Sequence, residues 1–212
     1  MGILRSPQEA IIWIFAILIA ITIHEASHAW MADRLGDPTP RNAGRLTLNP
    51  IAHIDPIGAI MFIIARIGWA KPVPINPSYF RKPRRDDFLV SAAGPASNIV
   101  TALIMALIFK GLLLWSPPMG HAADTPSALF FATKVAYISV WLNVGLAFFN
   151  LIPVPPLDGS GILMSLLPPH MALSYRRIAP YGILILLALF FTGIIGKVLF
   201  PIIDSVVGVM LG

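Results

Sequence analysis

Ala10-Ile11-Ile12-Trp13-Ile14-Phe15-Ala16-Ile17-Leu18-Ile19-Ala20-Ile21-Thr22-Ile23-His24-Glu25-Ala26-Ser27-His28 is an apolar run that ends in two histidines and a glutamate. On a helix, His24 and His28 lie about one turn apart and leave the same face, so both imidazoles can grip one metal ion. Glu25 projects roughly 100° away, within reach of a water at that ion. These side chains are costly inside lipid unless something binds them. Placement in a membrane-spanning helix therefore turns a common H-E-x-x-H pattern into a candidate hydrolytic site.

Working outward, the composition is that of a membrane chain. Apolar residues make up 57% of it and charged residues 12%, about half the usual soluble share of ~25%. The first apolar run lacks a small-residue cleavage site, so it reads as a span and not as a removable signal. No polar block is large enough for a soluble appendage, and residues 1–212 are expected to form a single membrane-embedded domain. Cysteine is absent, so a zinc site must use imidazole and carboxylate. The net charge of +5 does not indicate nucleic acid, because the cations gather beside apolar spans.

The expected fold is an all-α polytopic bundle of about four to five transmembrane helices. Spans are read at 8–34, 88–115, 127–151 and 178–196, with the tail 197–212, interrupted by Pro201 and Asp204, left without assignment. Between the first two spans, near residues 44–67, a re-entrant or short β-like membrane-associated segment is expected. Arg45-Leu46-Thr47-Leu48 alternates polar and apolar as a short strand would, and 57–67 is too short to cross as a helix. Segment 34–87 holds Arg34, Arg41, Arg45, Arg66, Lys71, Arg81, Lys82, Arg84 and Arg85, whereas 116–126 holds no cation. The positive-inside rule puts the first region in the cytoplasm. His24 to His28 and the stretch from Asn150 to Asp158 then meet toward the cytoplasmic side.

A catalytic zinc takes three protein ligands and leaves a position for water. His24 and His28 supply two. Of the ten carboxylates, Asp55 and Asp158 remain as candidates for the third. Asp158 is favoured because the proline-broken entry Ile152 to Pro156 suits a side chain aimed into a bundle. Asn98 and Asn150 are candidates for steadying an oxyanion or binding substrate backbone, with interhelical hydrogen bonding as the alternative. His53 is a candidate auxiliary ligand or gate, with an interfacial loop residue as the alternative. His121 and His170 read as solvated.

Together these residues resemble the site-2 protease family of intramembrane metalloproteases, close to its small prokaryotic members. The resemblance rests on His24-Glu25-Ala26-Ser27-His28, Ala93-Gly94-Pro95-Ala96-Ser97-Asn98, and Asn150-Leu151-Ile152-Pro153-Val154-Pro155-Pro156-Leu157-Asp158-Gly159. Gly44-Arg45-Leu46-Thr47-Leu48-Asn49-Pro50 and His53-Ile54-Asp55-Pro56 resemble one subgroup. The set covers roughly residues 8–165, the expected catalytic core, ahead of a C-terminal span and tail at 178–212. The resemblance implies one zinc ion per chain held by His24, His28 and Asp158, with Glu25 as general base. It also implies transmembrane protein or peptide substrates, a multi-pass protein of the prokaryotic inner membrane, and a role in regulated intramembrane proteolysis or clearance of membrane peptide remnants. No PDZ or CBS domain fits in this sequence.

Two other classes are weighed against this reading. A metal transporter would need a polar path across the later spans, which offer little; Ile183 to Phe191 has no polar side chain. A catalytically silent, membrane-protein-binding relative is disfavoured by the intact Glu25. An unwound substrate would need a pairing edge, and Gly44 to Leu48 is the expected one.

Overall fold

The computed structural model describes residues 6–65, 68–115 and 127–212. Its first element, α1 (Pro7–Arg34), is a 28-residue helix. Ser6 caps it by accepting from Glu9 N at 3.2 Å, and Pro7 fits the first turn, where its missing N–H is not needed. The helix stops at Gly36, whose φ of +105° is a left-handed turn suited to glycine. At ~1.5 Å per residue α1 is about 42 Å long, enough for the hydrocarbon core and headgroup regions of a bilayer.

After the short helix α2 (Thr39–Asn42) the chain makes a 3₁₀ turn at Pro50–His53 and then α3 (Pro56–Ala65). With 10 residues, about 15 Å, α3 cannot cross, as its short apolar length implies. The expected strand at Arg45–Leu48 does not form. Gly44 turns with φ +67°, Arg45 folds inward, and the segment becomes bends that leave Leu48 71% exposed. Pairing among the described residues is limited to one antiparallel bridge, Ile54 to Ala70.

The long helices α4 (Pro83–Leu113) and α5 (Ser127–Asn150) pack against α1 and each other, forming the centre of the molecule. Small residues allow close approach among these helices: Ala16, Ala20, Ala29 and Ala32 are buried on α1, and Ala93, Gly94, Ala102 and Ala106 on α4. Then come α6 (Asp158–Leu166), lying against α4, α7 (Pro169–Arg176), α8 (Gly182–Phe191) and α9 (Ile194–Leu211). An apolar cluster of Ala102, Ala106, Val140, Val144, Ile203 and Val207 joins α4, α5 and α9.

Among the described residues, five helices are long and apolar enough to span: 7–34, 83–113, 128–150, 169–191 and 194–211. The fourth begins at Pro169, ahead of the expected 178, because the 3₁₀ turn Ala179–Tyr181 carries α7 into α8. It ends at Phe191, ahead of the expected 196. Gly193, at φ +72°, separates it from α9, which accommodates Pro201 and gives the unassigned tail a helical form. The cation-free segment 116–126, with His121, and Arg66 lie outside the described residues.

Candidate metal centre

His24 and His28 are buried on the inner face of α1, 5% and 7% exposed. Their rings meet edge to face with centroids 4.7 Å apart. Each Nδ1 has an acceptor from α4: Asn98 Oδ1 at 2.6 Å for His24, and the Val90 carbonyl at 2.8 Å for His28. A carbonyl can only accept, so His28 carries its hydrogen on Nδ1. Asn98 is equally constrained. Its Nδ2 donates to Ala20 O at 3.1 Å and to Asn143 Oδ1 at 2.8 Å, which turns its oxygen toward His24. Both Nε2 lone pairs therefore face inward, 3.1 Å from each other.

Asp158 arrives from the far half of the sequence. Loop 151–157, with prolines at 153, 155 and 156, is held by turns such as Leu157 N to Val154 O at 3.0 Å, and Asp158 opens α6. Two glycines let α6 approach. A Cβ on Gly159 would lie 2.6 Å from Ile152 O, and one on Gly161 would lie 3.2 Å from Ser91 Cβ. Asp158 Oδ2 sits 3.2 Å from His24 Nε2 and 3.4 Å from His28 Nε2. That oxygen is buried and has no hydrogen-bond partner. In neutral rings, with their hydrogens on Nδ1, three electron-pair donors face one another with no hydrogen between them. Such an arrangement is repulsive unless a cation fills it, and two imidazoles with one carboxylate are a zinc-type donor set.

Gly94 completes the cradle. A Cβ there would strike His28 Nε2 and come within 2.6 Å of His24 Cε1, so α4 presents bare backbone to the metal site. Glu25 follows His24 on α1 and is half-buried, its charge acting on both His28 and Arg45. Among the described residues, the group that brings three possible ligand atoms within 4.8 Å is His24, His28 and Asp158. Asp55, the other carboxylate candidate, instead accepts from Gly58 N at 2.8 Å, at the start of α3.

The remaining candidates sit differently. Asn98 is fully buried, and its bonds tie α4 to α1 and α5. Asn150 ends α5 half-buried and spends one amide hydrogen on Leu146 O at 3.0 Å. His53 is fully buried in the loop after α2. Its Nε2 donates to Thr47 O at 2.9 Å, and its Nδ1 accepts from Arg45 at 3.2 Å. Arg45 also donates to the Lys71 and Pro72 carbonyls. Burial pulls its guanidinium below the ordinary value while the charge of Glu25 opposes that fall. An auxiliary-ligand role for His53 would require breaking one of these bonds. His170 is exposed on α7.

Sequence reading missed Asn143. This fully buried amide of α5 donates to Ser139 O at 2.8 Å and orients Asn98. An amide in a long apolar span was the available signal.

A model of peptidase family M50 matches residues 114–193, the part of the chain that carries Asp158. Bacterial proteins whose names read "Putative zinc metalloprotease" align along most of the sequence. YwhC of Bacillus subtilis (strain 168) is 39% identical over 194 residues, which are 91% of this chain and 85% of YwhC. Rip2 of Mycolicibacterium smegmatis is 31% identical over 194 residues, 88% of this chain and 69% of Rip2. Rip2 of Mycobacterium tuberculosis (strain H37Rv) is 33% identical over 182 residues, 82% of this chain and 64% of Rip2. No solved structure matches.

Proposed function

The chain belongs to peptidase family M50 and is a membrane-embedded zinc metalloprotease; from that premise we propose that it hydrolyses peptide bonds in or beside the transmembrane segments of other membrane proteins. One observation carries this reading: the donor atoms of His24, His28 and Asp158 converge on a helix that is itself long and apolar enough to span. Zinc held by these three residues, one ion per chain, would acidify a water toward a pKa of ~7 and polarise the scissile carbonyl.

The protein's own groups do the rest. Asn98 and the Val90 carbonyl hold the imidazoles in the tautomer that keeps Nε2 unprotonated. Glu25 accepts a proton from the water as its oxygen bonds to the carbonyl carbon, then returns it to the amine nitrogen as the C–N bond breaks. Asn150 keeps one amide hydrogen beyond its bond to Leu146, and that hydrogen is the candidate donor to a substrate oxygen. Asn98, with both amide hydrogens committed, acts through His24. A helical substrate shields its carbonyls, so it must unwind before Glu25 can act.

The cation excess of 34–87 supports a site that opens toward the cytoplasm of a prokaryotic cell, with α1 running inward. Regulated intramembrane proteolysis, or removal of membrane peptide remnants, is the setting such a site serves. The test is cleavage of a transmembrane peptide by purified, zinc-loaded protein. Cleavage is expected to vanish in Glu25→Gln with zinc still bound; an undiminished rate would exclude Glu25 as the base.

A further inference from the structure

The cations near the C-terminal end of α1 do not share one environment. Arg41 pairs with Asp33 at 2.6 Å, Arg45 is spent on loop carbonyls, and Arg84 donates to the Ser165 and Leu167 carbonyls. Among the described residues, Arg34, Arg81, Lys82 and Arg85 have neither an ion pair nor a side-chain hydrogen bond, and all four line one cavity of about 450 Å³. Arg34 comes from the end of α1, and the other three from the start of α4. The positive-inside rule asks only for cations somewhere in this segment. It gives no reason for four to converge around one concavity.

This convergence is unfavourable by itself. Like charges repel, and cations at the start of a 31-residue helix oppose its dipole. Of the carboxylates nearby, Asp33 and Asp37 are bonded outside the cavity, and Asp86 lines it. Asp33 holds Arg41, Asp37 accepts from Thr39 N and Asn76 N, and Asp86 accepts from Lys82 N at 2.9 Å. Asp86 is the one carboxylate in the lining, so four cations face a single acidic side chain there, and the cavity keeps a net positive charge that an anion from outside the chain would balance.

The position says what kind of anion. The cavity lies at the same end of two spanning helices, the level of a headgroup layer. One turn below Arg34, Trp30 is 49% exposed, and the Arg34 guanidinium lies 5.5 Å from its ring centroid. An aromatic ring below a ring of cations matches a lipid with its phosphate above and its glycerol and acyl chains beside the indole. The geometry points to a binding site for the phosphate headgroup of an anionic phospholipid, bridging the end of α1 to the start of α4. The Val90 carbonyl that orients His28 lies one turn into α4 from Asp86, so a bound lipid braces the two helices that set the metal centre.

The site is tested with the purified full chain in detergent, titrated with short-chain phosphatidylglycerol, short-chain phosphatidylcholine or inorganic phosphate, bound ligand being read by native mass spectrometry. Phosphatidylglycerol is expected to bind in preference to the other two. The Arg34→Gln/Arg85→Gln pair should weaken it about thirtyfold, the loss expected for two basic side chains at a membrane surface. The independent pair Arg81→Gln/Lys82→Gln should do the same, and Lys71→Gln, outside the cavity, should leave binding unchanged. Equal weakening by Lys71→Gln would reduce the cluster to general surface charge, and no weakening in either pair would remove the site. Binding of inorganic phosphate as tight as that of the lipid would assign the cavity to a soluble anion; each of these results overturns the inference. The readout is lipid binding, so it stands or falls apart from proteolysis.

Discussion

Two buried histidine environments lie on consecutive parts of this chain, and they are opposites. His53 is fully buried with both ring nitrogens matched, one donating to Thr47 O and one accepting from Arg45. His24 and His28 are equally secluded, but each points Nδ1 at an acceptor on α4 and turns Nε2 toward the other and toward Asp158. Burial alone therefore does not mark a ligand. What marks one is a set of acceptors facing each other with no donor among them, held there by partners on the far side of each ring.

Substitutions can break that contrast, most severely at the proposed base. Glu25→Gln should lower kcat/KM by at least about a thousandfold, within the range of general-base catalysis, with zinc content unchanged. Loss of zinc together with activity would mean that Glu25 holds the site together. Next, Asn98→Ala should free the His24 ring and weaken zinc binding about 10- to 100-fold, read by competition with a chelator; Asn98→Asp should recover part of that affinity. Gly94→Ala forces a methyl against both imidazoles. It should destabilise the protein by about 1–3 kcal/mol and loosen zinc, measured by thermal melting with and without the metal. The other side of the contrast is His53→Ala. It should cost about 1–3 kcal/mol through the unpaired Arg45 and Thr47 groups and leave zinc stoichiometry unaltered. Zinc loss in that variant would erase the distinction between the two environments.

Much of this was legible because membranes restrict what a sequence can do. Long apolar runs announced α1, α4 and α5, and the cost of polar groups in lipid made His24, Glu25 and His28 conspicuous. Asp158 was legible by elimination and by its prolines. The strand at 45–48 was misread because alternation cannot reveal that Arg45 turns inward to reach the Lys71 and Pro72 carbonyls, a preference set by a segment more than twenty residues away. The tail is not legible as a span because Pro201 and Asp204 weigh against one locally, whereas packing of Ile203 and Val207 against α4 and α5 sustains the helix. Asn143 was overlooked for a related reason. Its purpose is to aim another amide, Asn98, and only the fold brings the two within 2.8 Å.

The convergence of Asp158 with the two histidines is the central claim, and zinc bound per chain in purified Asp158→Asn tests it most directly. One zinc in the unmodified protein and none in the variant is the predicted result, at a concentration and chelator strength that leave the unmodified protein loaded. A variant that holds a full equivalent of zinc as tightly as the unmodified protein would contradict it.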